Sequence, residues 1–170
     1  MNSFASGIAG FFLFLGNWLS PHEKGELFLN SYLSEDSLYT VECRMAFRWS
    51  DDATPIVDAG IPLLVRVIVY VDGEKSDEYI RVLRGEIVDE SYAVYDSLSS
   101  QNIEVIKSNN IYVALKRFKH LYIQTKDPFK TVAVEMVVEK SPVPSLNRVV
   151  DLSKLLGASN FSAKIKFEEK

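Results

Sequence analysis

Residues 38–49 read LYTVECRMAFRW, and this stretch decides the fold. Its odd positions are Tyr39, Val41, Cys43, Met45, Phe47 and Trp49, and its even positions include Thr40, Glu42, Arg44 and Arg48. Side chains alternate between the two faces of a strand, so this period of two predicts one strand with one apolar face. A helix would scatter the same apolar residues around its whole circumference.

Ser50, Asp51, Asp52 and Thr54-Pro55 break the strand. Ser50 or an Asp caps a short helix through Val57 to Ala59, and Gly60 ends it. Ile61 to Val71 (IPLLVRVIVYV) is β-branched and almost continuously apolar, which predicts a central strand covered on both faces. Pro62 belongs at its start, since proline cannot donate to a ladder. Asp72-Gly73 signals a two-residue hairpin. The return strand runs from about Glu78, and strand character continues through Tyr95, with Gly85 marking a bulge or a break.

Further on, Asn102 to Lys107 reads as a short strand, and Ser108, Asn109 and Asn110 offer helix caps. Ile111, Leu115, Phe118 and Tyr122 recur at helical spacing, with Lys116, Arg117, Lys119 and His120 on other faces. Asp127-Pro128 interrupts, and Thr131 to Glu139 is a valine-rich strand. Pro142 and Pro144 form a stiff connector. Asp151 to Leu156 makes one or two helical turns stopped by Gly157, and Phe161, Ala163, Ile165 and Phe167 alternate with polar residues in a terminal strand. The whole predicts a mainly β protein: an antiparallel β-sandwich, immunoglobulin-like in size, with two or three short helical insertions.

Before this body the chain carries an apolar run. Phe4 to Leu19 reads FASGIAGFFLFLGNWL, and its only polar side chains are Ser6 and Asn17. Its length suits the apolar region of a signal peptide or an anchor, and it is short of the ~20 residues that span a bilayer comfortably. A buried helix is the alternative reading. Ser20 to Gly25 is polar or turn-forming, so residues 1–25 form a signal or anchor segment plus linker, and residues 26–170 a single β-rich domain. The expected location is extracytoplasmic, either periplasmic or anchored to a membrane.

The 170 residues include 19 Lys+Arg and 23 Asp+Glu, a net charge of −4, and 47% are hydrophobic. That apolar content excludes global disorder. Mild acidity argues against a nucleic-acid partner. A single cysteine excludes an internal disulfide framework and a multi-Cys metal cluster.

No catalytic constellation emerges. His22 lies in the linker and His120 near the basic helix, neither at metal-ligand spacing from another ligand. Cys43 sits on an apolar strand face, where a thiol is buried and inert. Asp51-Asp52 and Asp89-Glu90 pair carboxylates, as acid-base chemistry can, but at turns such pairs are solvated. No cofactor is expected. Lys116, Arg117 and Lys119 form the candidate binding site, a basic helix face able to meet a phosphate or an anionic surface.

Asp58-Ala59-Gly60-Ile61-Pro62-Leu63 is a more distinctive pattern. It is followed by Tyr92-x-x-Tyr95-x-x-Leu98, a helix holding Ala114-Leu115, a valine-rich strand and the proline connector. Over about Leu38 to Phe167 this order resembles an exported bacterial family, domain of unknown function 4390. The resemblance implies an extracytoplasmic domain, often encoded beside a sensor histidine kinase, and carries over no catalytic residues. Two functional classes are expected: a non-catalytic envelope module that binds a protein or ligand, with a membrane or envelope protein as partner, or a small ligand- or lipid-binding carrier or enzyme whose site is assembled from distant residues.

Overall fold

Alternation in the quoted stretch becomes β2 (Tyr39–Ala46), whose Val41, Cys43 and Met45 are fully buried. A computed structural model describes residues 25–34, 38–97, 105–143 and 146–167, and the apolar run at 4–19 lies outside them. β2 is the middle of a three-stranded antiparallel sheet, between β1 (Glu26–Leu33) and β7 (His120–Thr125). β1 has no clean period of two in its sequence, because its outward positions include Phe28 and Tyr32.

The second sheet has six strands in the order β11 (Asn160–Lys166), β8 (Thr131–Glu139), β3 (Leu63–Val71), β4 (Glu74–Glu86), β5 (Ser91–Ser97) and β6 (Ile106–Ser108), all antiparallel. A small hairpin, β9 (Ser141–Val143) with β10 (Arg148–Val150), follows β8. The inner face of the large sheet presents Leu63, Val65, Val67, Val132, Val134, Met136 and Phe161 to Val41, Cys43 and Met45 of the small one. The result is a mainly β sandwich of antiparallel sheets around one core. At one end, Tyr39, Phe129 and Phe167 meet edge to face at centroid distances of 5.2 to 6.0 Å.

Short helices close the gaps. Ser50 Oγ accepts from Asp52 N–H and caps a 3-10 turn (Asp51–Ala53), which runs into α1 (Thr54–Asp58). Asn110 Oδ1 accepts from the Tyr112 and Val113 amides and caps α2 (Ile111–Lys119), which buries Ile111, Ala114, Leu115 and Phe118. α3 (Ser153–Leu156) ends at Gly157 in the left-handed region, φ 64°.

Four local expectations need correction. β3 is central but covered on one face only: Leu63, Val65, Val67 and Val69 are buried, whereas Leu64, Arg66, Ile68 and Tyr70 are half-buried. On the outer face Arg66 pairs with Glu139 at 2.8 Å, so apolar outward positions there flank a solvated ion pair. β4 starts at Glu74, directly after the Asp72-Gly73 turn, and runs through Gly85 without a break. Gly85 answers a close approach instead: a Cβ there would overlap the Val57 carbonyl oxygen at the end of α1. The irregularity lies between Val69 and Tyr70. Finally, Tyr122 and His120 belong to β7 and not to the helix, and Tyr122 is 55% exposed. The helix ends at Lys119 because His120 turns into extended backbone (φ −108°, ψ 130°), and Arg81 then satisfies the carbonyls of Arg117 and Phe118.

Candidate functional site

Arg81 shows how α2 is aimed. It lies on the core face of β4, between the buried Tyr79 and Leu83. Its Nε donates to Phe118 O at 2.8 Å, and its Nη2 donates to Arg117 O and His120 O at 2.8 and 2.7 Å. Nη1 pairs with both carboxylate oxygens of Asp96 on β5 at 2.7 and 2.8 Å. The last carbonyls of a helix lack intrahelical donors and carry partial negative charge, which a guanidinium satisfies with several fixed N–H groups. The chain therefore leaves α2 directly into β7, with Lys119 and His120 held at the junction.

From that junction Lys119 turns back over β2. Its Nζ donates to Phe47 O at 3.0 Å and stands 4.2 Å from the Phe47 ring centroid. Partial burial holds this ammonium below its usual pKa range. Lys116 and Arg117 stay exposed on the open face of the helix. The structure thus divides the three sequence-predicted residues: Lys119 joins a groove, and Lys116 and Arg117 do not line it.

That groove is an open cleft of about 550 Å³ along the end of β1 and β2, beside the α3–β11 connection. Gly25, Glu26 and Phe28 come from the start of the described chain, Arg44 to Arg48 from the end of β2, and Leu156 to Ala158 from the far wall. Arg44 and Arg48 are exposed, and the Arg44 guanidinium sits 5.2 Å from the Phe28 ring centroid. Glu26 is the only carboxylate among the lining residues, against the three cations Arg44, Arg48 and Lys119. Phe28 and Phe47 add two aromatic surfaces against which cations already rest. Such a surface can accept an anionic group with an apolar part attached.

Strand register extends the surface across the outer face of the small sheet. Phe28, Arg44 and His120 form one cross-strand row, and Asn30, Glu42 and Tyr122 the next. His120 Nδ1 lies 3.5 Å from Glu42 Oε1. Sequence reasoning did not single out Arg44 and Arg48, although both stand on the even, wet face of residues 38–49. The signal is two cations at even positions of the alternating stretch, Arg44 in β2 and Arg48 just past its end; what it lacks is that α2 ends beside them.

Cys43 lies on the opposite side of β2, without exposure, and burial pushes its thiol up to about 12. Its place on the core face gives it no access to the groove. No cluster of three or more His, Cys, Asp or Glu that could hold a metal occurs among the described residues. Also among these, no helix is long and apolar enough to cross a membrane. A mainly β, antiparallel sandwich with an open basic groove is the class of protein defined by fold and surface. No protein-family model, curated protein or solved structure matches this chain.

Proposed function

We propose that this protein is a non-catalytic binding module of the bacterial envelope, located outside the cytoplasm, and that its recognition surface is the groove of Arg44, Arg48 and Lys119. One observation carries the reading: three cations and two aromatic rings converge on one cleft with a single carboxylate among its lining. Complementary charge attracts and orients an anionic partner, and the phenylalanine rings add apolar contact. The apolar run at 4–19 and the resemblance to domain of unknown function 4390 support the extracytoplasmic placement and a link to a membrane sensor kinase. A fusion of residues 1–30 to a reporter active only outside the cytoplasm tests the location. Reporter activity is expected, and its absence would remove that part of the proposal.

The groove is tested with an aromatic sulfonate, 8-anilinonaphthalene-1-sulfonate, whose anion and fused rings match its chemistry. Full-length protein should show saturable fluorescence enhancement that weakens from 50 to 500 mM salt. Arg44→Gln with Arg48→Gln should weaken binding about 25-fold, as expected for two lost charge-assisted contacts each near 1 kcal/mol. Lys116→Gln with Arg117→Gln should leave it within twofold. Equal loss in both pairs, or none in either, would refute the groove as the binding surface.

A further inference from the structure

The groove lies at the end of the domain where the chain enters from its apolar run. Gly25, the first described residue, lines the groove and donates its N–H to Asn160 O at 3.2 Å. Only residues 20–24 separate it from Leu19. Fully extended, that connection reaches roughly 20 Å, at about 3.5 Å per residue.

Sheet register brings further features to the same end. β11 starts at Asn160, opposite Val137 near the end of β8, and Glu139 at the end of β8 lies opposite Leu64 at the start of β3. Leu63 pairs with Leu83, three residues before β4 ends at Glu86. The β4–β5 connection therefore emerges at this end, and its Ile87 and Val88 are 68% and 95% exposed. The β9–β10 hairpin leaves β8 here too, with Val149 62% exposed opposite Pro142. Adjacent strands are about 4.8 Å apart, so β11 and β4 are roughly 15 Å apart across the sheet. Apolar tips and the basic groove thus share one end of the sandwich.

Carboxylates at this end restrict where an anion can sit. Glu139 is paired with Arg66 at 2.8 Å, Asp89 with Lys107 at 3.0 Å, and Asp58 accepts from the Tyr92 hydroxyl at 2.7 Å. Asp51, Asp52 and Glu90 are exposed, so the favourable contact is local to the groove. Each basic side chain beside an anionic bilayer gives about 1 kcal/mol, a fivefold gain in partition.

We infer that this end of the domain lies on the membrane holding the chain's own apolar run. Arg44, Arg48 and Lys119 meet the phosphates of anionic lipids, while Ile87, Val88 and Val149 enter the interface. The inference rests on the proposed function and names the occupant of its groove. A tether of roughly 20 Å confines the domain near the bilayer, and the charges and apolar tips choose which end faces it.

The test uses the full chain in vesicles of phosphatidylcholine alone or with 30% phosphatidylglycerol. Cys43 is buried, so one environment-sensitive fluorophore can be placed selectively at Asn160→Cys beside the groove, or at Glu74→Cys at the opposite end of the sheet. Flotation with both kinds of vesicle is expected. In anionic vesicles the label at 160 should shift to shorter wavelength and the label at 74 should not. Arg44→Gln with Arg48→Gln should reduce docking about 25-fold, as should high salt, and Val88→Ser should weaken it further. Unfolding midpoints will confirm that these exposed substitutions leave the fold intact. Flotation with a silent label at 160, equal shifts at both labels, or docking unaffected by the arginine changes would overturn the inference while leaving the sulfonate-binding groove standing. Failure to float with either vesicle would overturn it together with the membrane placement.

Discussion

Replacing Arg81 with methionine keeps most of the apolar volume at that site and removes the whole hydrogen-bonding fork. Arg81 is 6% exposed and donates to three backbone carbonyls around the end of α2, at 2.7 to 2.8 Å, besides pairing with Asp96. Each acceptor deprived of its donor in a buried setting costs about 1–3 kcal/mol. Breaking a buried ion pair by removing one partner costs about 3–5 kcal/mol. The Asp96 side chain is 31% exposed and can recover water, so the expected loss is the total for the pair and not the sum of every bond. Arg81→Met should therefore destabilise the domain by about 3–5 kcal/mol and lower its Tm by on the order of 10 °C. Asp96→Asn keeps one acceptor but leaves the buried guanidinium without its countercharge, and should cost about 1–3 kcal/mol. Arg81→Lys keeps a charge but loses the planar fork, and should recover less than half of the loss. Urea unfolding of the full chain in mild detergent measures these differences. Hydrogen exchange at the last turn of α2 should rise in Arg81→Met beyond the change in the β3–β8 ladder. An Arg81→Met midpoint within about 1 kcal/mol of the parent would show that Arg81 does not hold the helix end, and the account of how Lys119 reaches the groove would fail.

Cys43 and Gly85 offer two further tests. The folded thiol holds its proton to about 12 against roughly 8.5 when unfolded, so its contribution is present below pH ~8.5 and lost as pH rises through about 12. Cys43→Ala should cost about 1 kcal/mol at pH 7 yet be more stable than the parent at pH 11, where the parent has lost about 3 kcal/mol to this group; parallel urea midpoints at the two values would refute it. Tyr79, also raised by burial, remains in both chains and cancels in the comparison. Gly85→Ala places a methyl against the Val57 carbonyl and should cost about 1–3 kcal/mol in thermal unfolding, whereas a loss under 0.5 kcal/mol would mean that α1 shifts freely.

Much of the fold was legible in residues 38–49 and their neighbours. Strand faces follow from a period of two, so Val41, Cys43 and Met45 could be assigned to the core before any partner was known. Turn and cap chemistry was equally local: Asp72-Gly73 with φ of 51° and 91°, Asn110 over its two amides, and Gly157 after α3. β1 shows no period of two in its sequence because, as a strand at the border of its sheet, it carries Phe28 and Tyr32 on its outward face opposite the inward Leu27 and Leu29. At Gly85 a missing side chain in a strand has two causes, a bulge or a close neighbour, and only the position of α1 separates them. Which residues face inward and where the chain turns are local properties, because steric preference and burial act within a few residues. Which strands pair, that Arg81 reaches from β4 to the end of α2, and that Lys119 leaves Lys116 and Arg117 to join Arg44 and Arg48 were decided only by the tertiary structure. Those contacts join residues 36 to 72 positions apart, and no local preference encodes them.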